Sequence, residues 1–314
     1  MMENCLFIGN GLNRCLVDSI SWGNLMEYVA ESIEVSSHID IAMPMEFERM
    51  ANEYMIKENT SSDNIYFLMK ETICDKIGSV HLPQNAIHYS INSLPIDSII
   101  TTNYDYLLEY VYRLDYRCEI KSQKYIFGQT SEINKVKFYH PHGIVKWQQS
   151  LCLGFEHYMG IVQKLRAEIN TKKDSKPDNM LIKRILFGDD EPQNTWGELF
   201  YKKNIAFVGF GLDSCESDIW WLLTHRAYIY HTNYQNIQEK LVNRIVYYDI
   251  VDVGEKSDCE AERKRKLAEN AKRRNHIILK DAHVIVKAYE IKDSSEYESC
   301  YRKIFDDIKN NGIY

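Results

Sequence analysis

Asn103 and His142 are the two side chains in this sequence whose types and surroundings suit catalysis. Asn103 stands in Ser98-Ile99-Ile100-Thr101-Thr102-Asn103-Tyr104-Asp105, a short β-branched run that stops abruptly in small polar residues. Such a run reads as a buried strand whose carboxyl end opens onto a loop, which is where open parallel sheets place their ligands. An amide there can orient a water or a hydroxyl without titrating. His142 closes a second run, Phe138-Tyr139-His140-Pro141-His142-Gly143, and an imidazole near its ordinary pKa of about 6.5 can take a proton from that water or hydroxyl. Strand alternation points His140 to the same side as His142, although Pro141 interrupts the pattern. Asp105 can orient a ligand and favour developing positive charge, or bond its own loop.

Two glycine turns complete the set. Cys5-Leu6-Phe7-Ile8 leads into Gly9-Asn10-Gly11-Leu12-Asn13-Arg14, and a helix is expected from Cys15. Strand, glycine turn and helix together form a cradle for a pyrophosphate. The third glycine of the dinucleotide fingerprint is missing because Arg14 stands in its place, so the spacing equally describes a tight turn with no ligand. Late in the chain, Asn204-Ile205-Ala206-Phe207-Val208 is a buried strand broken by Gly209-Phe210-Gly211, where backbone can approach a nucleotide closely. Ser217 and Asp218 then precede an apolar helix, and either can cap it.

Taken in order, the Gly9 turn, Thr101-Thr102-Asn103-Tyr104-Asp105, His140-Pro141-His142-Gly143 and Gly209-Phe210-Gly211 resemble the motifs of the sirtuin-like NAD-binding family. More narrowly they resemble the bacterial sirtuin-like NADases of anti-phage defence. The resemblance implies Asn103 and His142 as catalytic residues. It implies Gly9, Asn10, Gly11, Asn13, Arg14, Thr102, Asp105, Gly209, Phe210 and Gly211 as contacts to NAD, which is substrate and not a resident cofactor. The expected reaction is hydrolysis of NAD+ to nicotinamide and ADP-ribose. Deacylation of protein lysines, ADP-ribosyl transfer and a non-catalytic nucleotide sensor are the alternatives. The resemblance also implies a homo-oligomer and an activating partner protein.

The elements that must position these residues follow from the pattern. Strands alternating with helices predict an α/β, Rossmann-like, mostly parallel open sheet with helices on both faces. From Trp22 to about Leu94 the periodicity is helical, including Glu46–Tyr54 and Ile65–Ile77, and a second helical region spans 159–203. Residues 1–314 are expected to form one sirtuin-like NAD-binding domain with helical insertions at about 20–95 and 159–203. The first insertion reads equally as a lid over the cleft or as a packing layer. Further strands are expected at 116–125, 135–139, 151–153, 243–251 and 282–289, with helices at 255–274 and 297–308.

Composition bounds the rest. A net charge of −7 argues against nucleic-acid binding by bulk electrostatics, and Arg263-Lys264-Arg265-Lys266 follows enough acidic residues to read as a solvated helix. Eight singly spaced cysteines lack the paired ligands of a structural zinc site, so no zinc is expected, unlike the four-cysteine module of protein-deacylating sirtuins. No apolar run reaches the roughly 20 residues that span a bilayer, and the first residues lack a secretory pattern, so a cytoplasmic location is expected.

Overall fold

The computed structural model describes residues 3–16, 20–38, 40–79, 86–111, 124–170, 195–231, 237–254 and 260–313. Its strands are β1 (Asn4–Ile8), β2 (Ser98–Thr101), β3 (Ser131–Ile133), β4 (Val136–Tyr139), β5 (Asn204–Val208), β6 (Ile245–Asp252) and β7 (Val284–Ile291). They form one seven-stranded sheet in the order β3-β4-β2-β1-β5-β6-β7. Every neighbouring pair is parallel except β3 with β4. With that edge strand set aside, the parallel strands stand in the Rossmann order, third-second-first-fourth-fifth-sixth. The chain therefore reverses its direction of travel across the sheet between β1 and β5, and the crevice at their carboxyl ends is the switch point where such sheets take ligands.

The helices are α1 (Trp22–Ser32), α2 (Met43–Glu58), α3 (Ser62–Ser79), α4 (Ala86–Ser90), α5 (Leu107–Val111), α6 (Phe155–Asn170), α7 (Trp196–Lys202), α8 (Ser217–Tyr230), α9 (Ile237–Lys240), α10 (Glu260–Arg273), α11 (His276–Asp281) and α12 (Tyr297–Asn311). Apolar residues on both sides of each central strand explain why the sheet is covered twice. Cys5 and Phe7 of β1 face one core with Leu165, Trp196, Phe200 and Leu222. Leu6 and Ile8 face the other with Ile87, Ile304 and Phe305.

A third core belongs to α1–α3. Ser21 caps α1 by accepting from the Asn24 N–H, and Pro44 stands in the first turn of α2, which ends on the left-handed Asn59 (φ 49°). Leu25, Val29, Phe47, Met50, Ile65 and Met69 pack together there with Tyr104, Leu151 and Leu153. Lys70 Nζ donates to the Gln149 carbonyl (3.1 Å) and Gln148 Nε2 to the Phe67 carbonyl (2.6 Å). The helical layer is thus fastened to the loops that follow β2 and β4.

Several local expectations need correction. Leu151–Leu153 form no strand; Leu151 and Leu153 pack into the helical core, and Cys152 joins the core that holds Phe7. No α-helix starts at Cys15; Asn13–Cys15 form a single 3-10 turn, and α1 waits until Trp22. β3 was unexpected. It pairs with β4 through Asn134 (φ 52°) and Lys135 (φ 69°), a two-residue turn with both central residues left-handed and a lysine where glycine is the usual signal. Residues 116–123 of the strand expected at 116–125, residues 171–194 of the expected helical region, and Cys118 and Cys259 lie outside the described residues, and Lys124 and Tyr125 form a bend and no strand.

Candidate active site

Asn103 is held by its backbone and left open at its side chain. Its N–H donates to Thr101 Oγ1 (3.1 Å), and its carbonyl accepts from His140 Nδ1 (2.9 Å). The other nitrogen of His140 meets Glu109 Oε1 of α5 at 2.8 Å. Burial opposes a charge on His140, yet the Glu109 carboxylate and the Asn103 carbonyl overcome it and hold the ring above its ordinary pKa. Both nitrogens of His140 are therefore committed to fixing the loop. Asn103 is only 6% exposed, and among the described residues neither its Nδ2 nor its Oδ1 has a hydrogen-bond partner. Each such orphan costs about 1–3 kcal/mol unless a water or a ligand meets it.

His142, one strand over, is 2% exposed and has a different partner set. Its Nε2 lies 2.9 Å from Oδ2 of Asp218, which is fully buried, and 3.8 Å from Glu216 Oε2. The Tyr158 ring stands edge-on to the imidazole at 5.1 Å, and Tyr158 Oη donates to Glu216 Oε2 (3.4 Å). Among the described residues no hydrogen bond occupies Nδ1. Burial again opposes a charged ring, and the Asp218 and Glu216 carboxylates again win, raising the His142 pKa. Burial, together with Asp218 and Asp213, pushes Glu216 up to about 7 against the pull of His142 and Tyr158.

The two loops are stitched into one unit. Val145 N–H donates to the Tyr104 carbonyl (3.0 Å), Tyr104 Oη to the Cys152 carbonyl (2.5 Å) and Cys152 N–H to the His142 carbonyl (2.8 Å). Gly143 follows at φ 93°, where a Cβ would sit 2.2 Å from the Ser150 carbonyl oxygen. A side chain at Gly143 would force apart the loop that carries His142.

At the switch point the two glycine turns interlock. Gly11 N–H donates to the Gly209 carbonyl (2.7 Å) and Gly9 N–H to that of Val208 (3.2 Å). A Cβ on Gly9 would lie 2.7 Å from the Gly209 oxygen, and one on Gly11 would lie 2.5 Å from it. These glycines let β1 and β5 end backbone against backbone, and the N–H groups of Gly9 and Gly11 are spent there. Phe210 turns inward onto Phe7 (4.8 Å between ring centroids), and the carbonyl of Gly211 accepts from Arg274. Arg14 is exposed, and Thr102 is buried beside Asn103.

Residues 97–221 match the family model of the SIR2-like domain. That stretch, less than half of the chain, is similar to the SIR2-like domain. The matched segment opens just before β2 and closes in the first turns of α8, so it contains Asn103, His142 and Asp218 and leaves the Gly9 turn outside. No curated protein matches the chain. Similarity to the SIR2-like domain points to NAD-related chemistry in general.

Within the matched segment, Asp218 is the residue the sequence concealed. Ser217-Asp218 at a helix start reads as a cap, yet neither side chain caps α8, and Asp218 spends Oδ2 on His142 across 76 positions of sequence. Asp105 does work locally: its Oδ1 accepts from the Leu107 N–H (2.8 Å) to start α5, and its Oδ2 accepts from Asn13 Nδ2 (3.3 Å). Asn13 in turn meets His88 Nε2 at 3.1 Å, which ties the β1 turn to the β2 loop. Asn10 Nδ2 donates to the Ile20 carbonyl (3.0 Å). Among the described residues, one group of three histidine or acidic donors could hold a metal, His142, Glu216 and Asp218, with ligand atoms within 4.8 Å of one another. The six cysteines among the described residues are free thiols. No described helix is long and apolar enough to cross a membrane.

Proposed function

We propose that the protein is an NAD+ glycohydrolase that releases nicotinamide and ADP-ribose, acting as an effector in bacterial anti-phage defence. The observation that carries the reaction is the buried, unpartnered amide of Asn103 beside a histidine whose far nitrogen is held by a carboxylate. NAD+ carries its nicotinamide as a pyridinium, which leaves as a neutral molecule and needs little acid help. The barrier lies in bringing a water to the ribose while positive charge spreads over its ring.

In this reading Asn103 orients the water or a ribose hydroxyl. Asp218 accepts from Nε2–H of His142, which leaves Nδ1 as the lone pair that takes the proton. Asp218 and Glu216 add negative potential, which favours both the pyridinium substrate and the cationic ribose. The motif order of the defence NADases supports the biological role. It also supports a homo-oligomer and an activating partner protein, as in that group.

The deciding experiment incubates purified protein with NAD+, alone and with its candidate activator, and follows nicotinamide and ADP-ribose by chromatography. Both products should form, and Asn103→Ala and His142→Ala should each abolish them while keeping the wild-type melting temperature. Nicotinamide without free ADP-ribose would mark transfer to an acceptor instead. Undiminished turnover in both variants would remove the site.

A further inference from the structure

We propose that His142, Glu216 and Asp218 bind a divalent transition cation of the Zn2+ type, and that this cation silences the site instead of supporting the fold. Tetrahedral zinc bonds nitrogen and oxygen at about 2.0–2.2 Å, so two ligand atoms on one ion stand roughly 3.3 Å apart. The separations from His142 Nε2 bracket that value, 2.9 Å to Asp218 Oδ2 and 3.8 Å to Glu216 Oε2. All three ligand atoms lie within 4.8 Å of one another, so side-chain adjustment must draw them together onto one ion.

Two carboxylates meet one imidazole in a buried setting, and among the described residues the second oxygen of Asp218, itself fully buried, has no hydrogen-bond partner. A divalent ion satisfies both carboxylates at once and displaces the hydrogen that Nε2 shares with Asp218. One nitrogen and two carboxylates suit zinc and its neighbours better than magnesium or calcium, which want a shell of six or more oxygens. Tyr158 Oη, bonded to Glu216 Oε2 at 3.4 Å, already steadies one ligand from outside. Three protein ligands leave the fourth position of a tetrahedral ion to water.

Inhibition follows from the proposed function, on which that consequence rests. The ion takes the carboxylate contact that sets the His142 tautomer and cancels the negative potential offered to the pyridinium. Binding itself does not depend on the reaction. A competing locus exists on the surface, where Nε2 of His231 and Nε2 of His283 face each other at 2.8 Å with only two ligands.

The test titrates Zn2+ into the metal-stripped full chain by calorimetry and repeats the titration with Co2+, whose visible absorption reports tetrahedral coordination. One site is expected. Its affinity should fall roughly 10- to 100-fold in Glu216→Gln and in Asp218→Asn and stay unchanged in His283→Ala. Glu216→Gln keeps the outline of the side chain, and if Asp218→Asn fails to fold by circular dichroism, Glu216→Gln alone decides. Wild-type affinity in the Gln variant, or loss of the site in His283→Ala, overturns the proposal. Cation binding without any NAD+ cleavage would keep this site and remove the reaction. Cleavage by a protein that binds no Zn2+ here would do the reverse.

Discussion

Asn103 and His140 show how neighbouring residues of similar polarity are put to different ends. His140 satisfies both ring nitrogens within the protein, whereas Asn103 satisfies none of its side-chain polarity. The resemblance named His142 and not His140, and the glycine that follows His142 has a physical reason: φ is 93° and the Ser150 carbonyl fills the space of a Cβ. Gly143→Ala should therefore destabilise the fold by about 2–4 kcal/mol in urea unfolding. A second expectation concerns Asp218→Asn, which offers Nε2 a donor where Asp218 offers an acceptor and so favours the wrong tautomer. Nicotinamide release should drop by roughly 10²–10⁴-fold in steady-state assays while the melting temperature holds. A loss of turnover that merely tracked unfolding would contradict it.

At the scale of elements, α6 is started by one of its own residues. His157 Nδ1 accepts from the N–H groups of Gly154 (3.0 Å) and Leu153 (3.4 Å), so the ring must keep a lone pair there. Burial, helped by repulsion from Lys70 and Lys124, lowers its pKa to about 3. As pH falls below about 6.5 the unfolded chain takes up this proton and the folded one does not, so stability is lost progressively toward pH 3. By pH 4.5 the loss is about 2 kcal/mol. His157→Gln, which keeps an acceptor without a titrating group, should flatten the decline of unfolding free energy between pH 6.5 and 4.5 by that amount, and an unchanged slope would refute the assignment. The apolar run at Leu151–Leu153 shows the limit of reading elements from sequence. Periodicity cannot tell a buried strand from a buried loop when both supply side chains to a core.

For the whole molecule, the switch point between β1 and β5 predicts that a dinucleotide bridges several elements and stabilises all of them. A carbocyclic NAD analogue that resists cleavage, at about 100 times its Kd, should add ~2.7 kcal/mol and raise the melting temperature by roughly 5 °C. A flat thermal-shift curve would argue against the cleft. The sequence by itself marked the six parallel strands and the two strand tips bearing Asn103 and His142, while it missed β3 and added a strand at Leu151–Leu153. Buried β-branched runs and polar breaks are local signals, and they survive folding unchanged. It also marked both glycine turns, but not that Gly9 and Gly11 spend their N–H groups on β5. Only the tertiary structure put Asp218 and Glu216 against His142 and left Asn103 without a partner. Those facts depend on which strand lies beside which, and side chains 76 positions apart carry no periodic or spacing signal of their meeting.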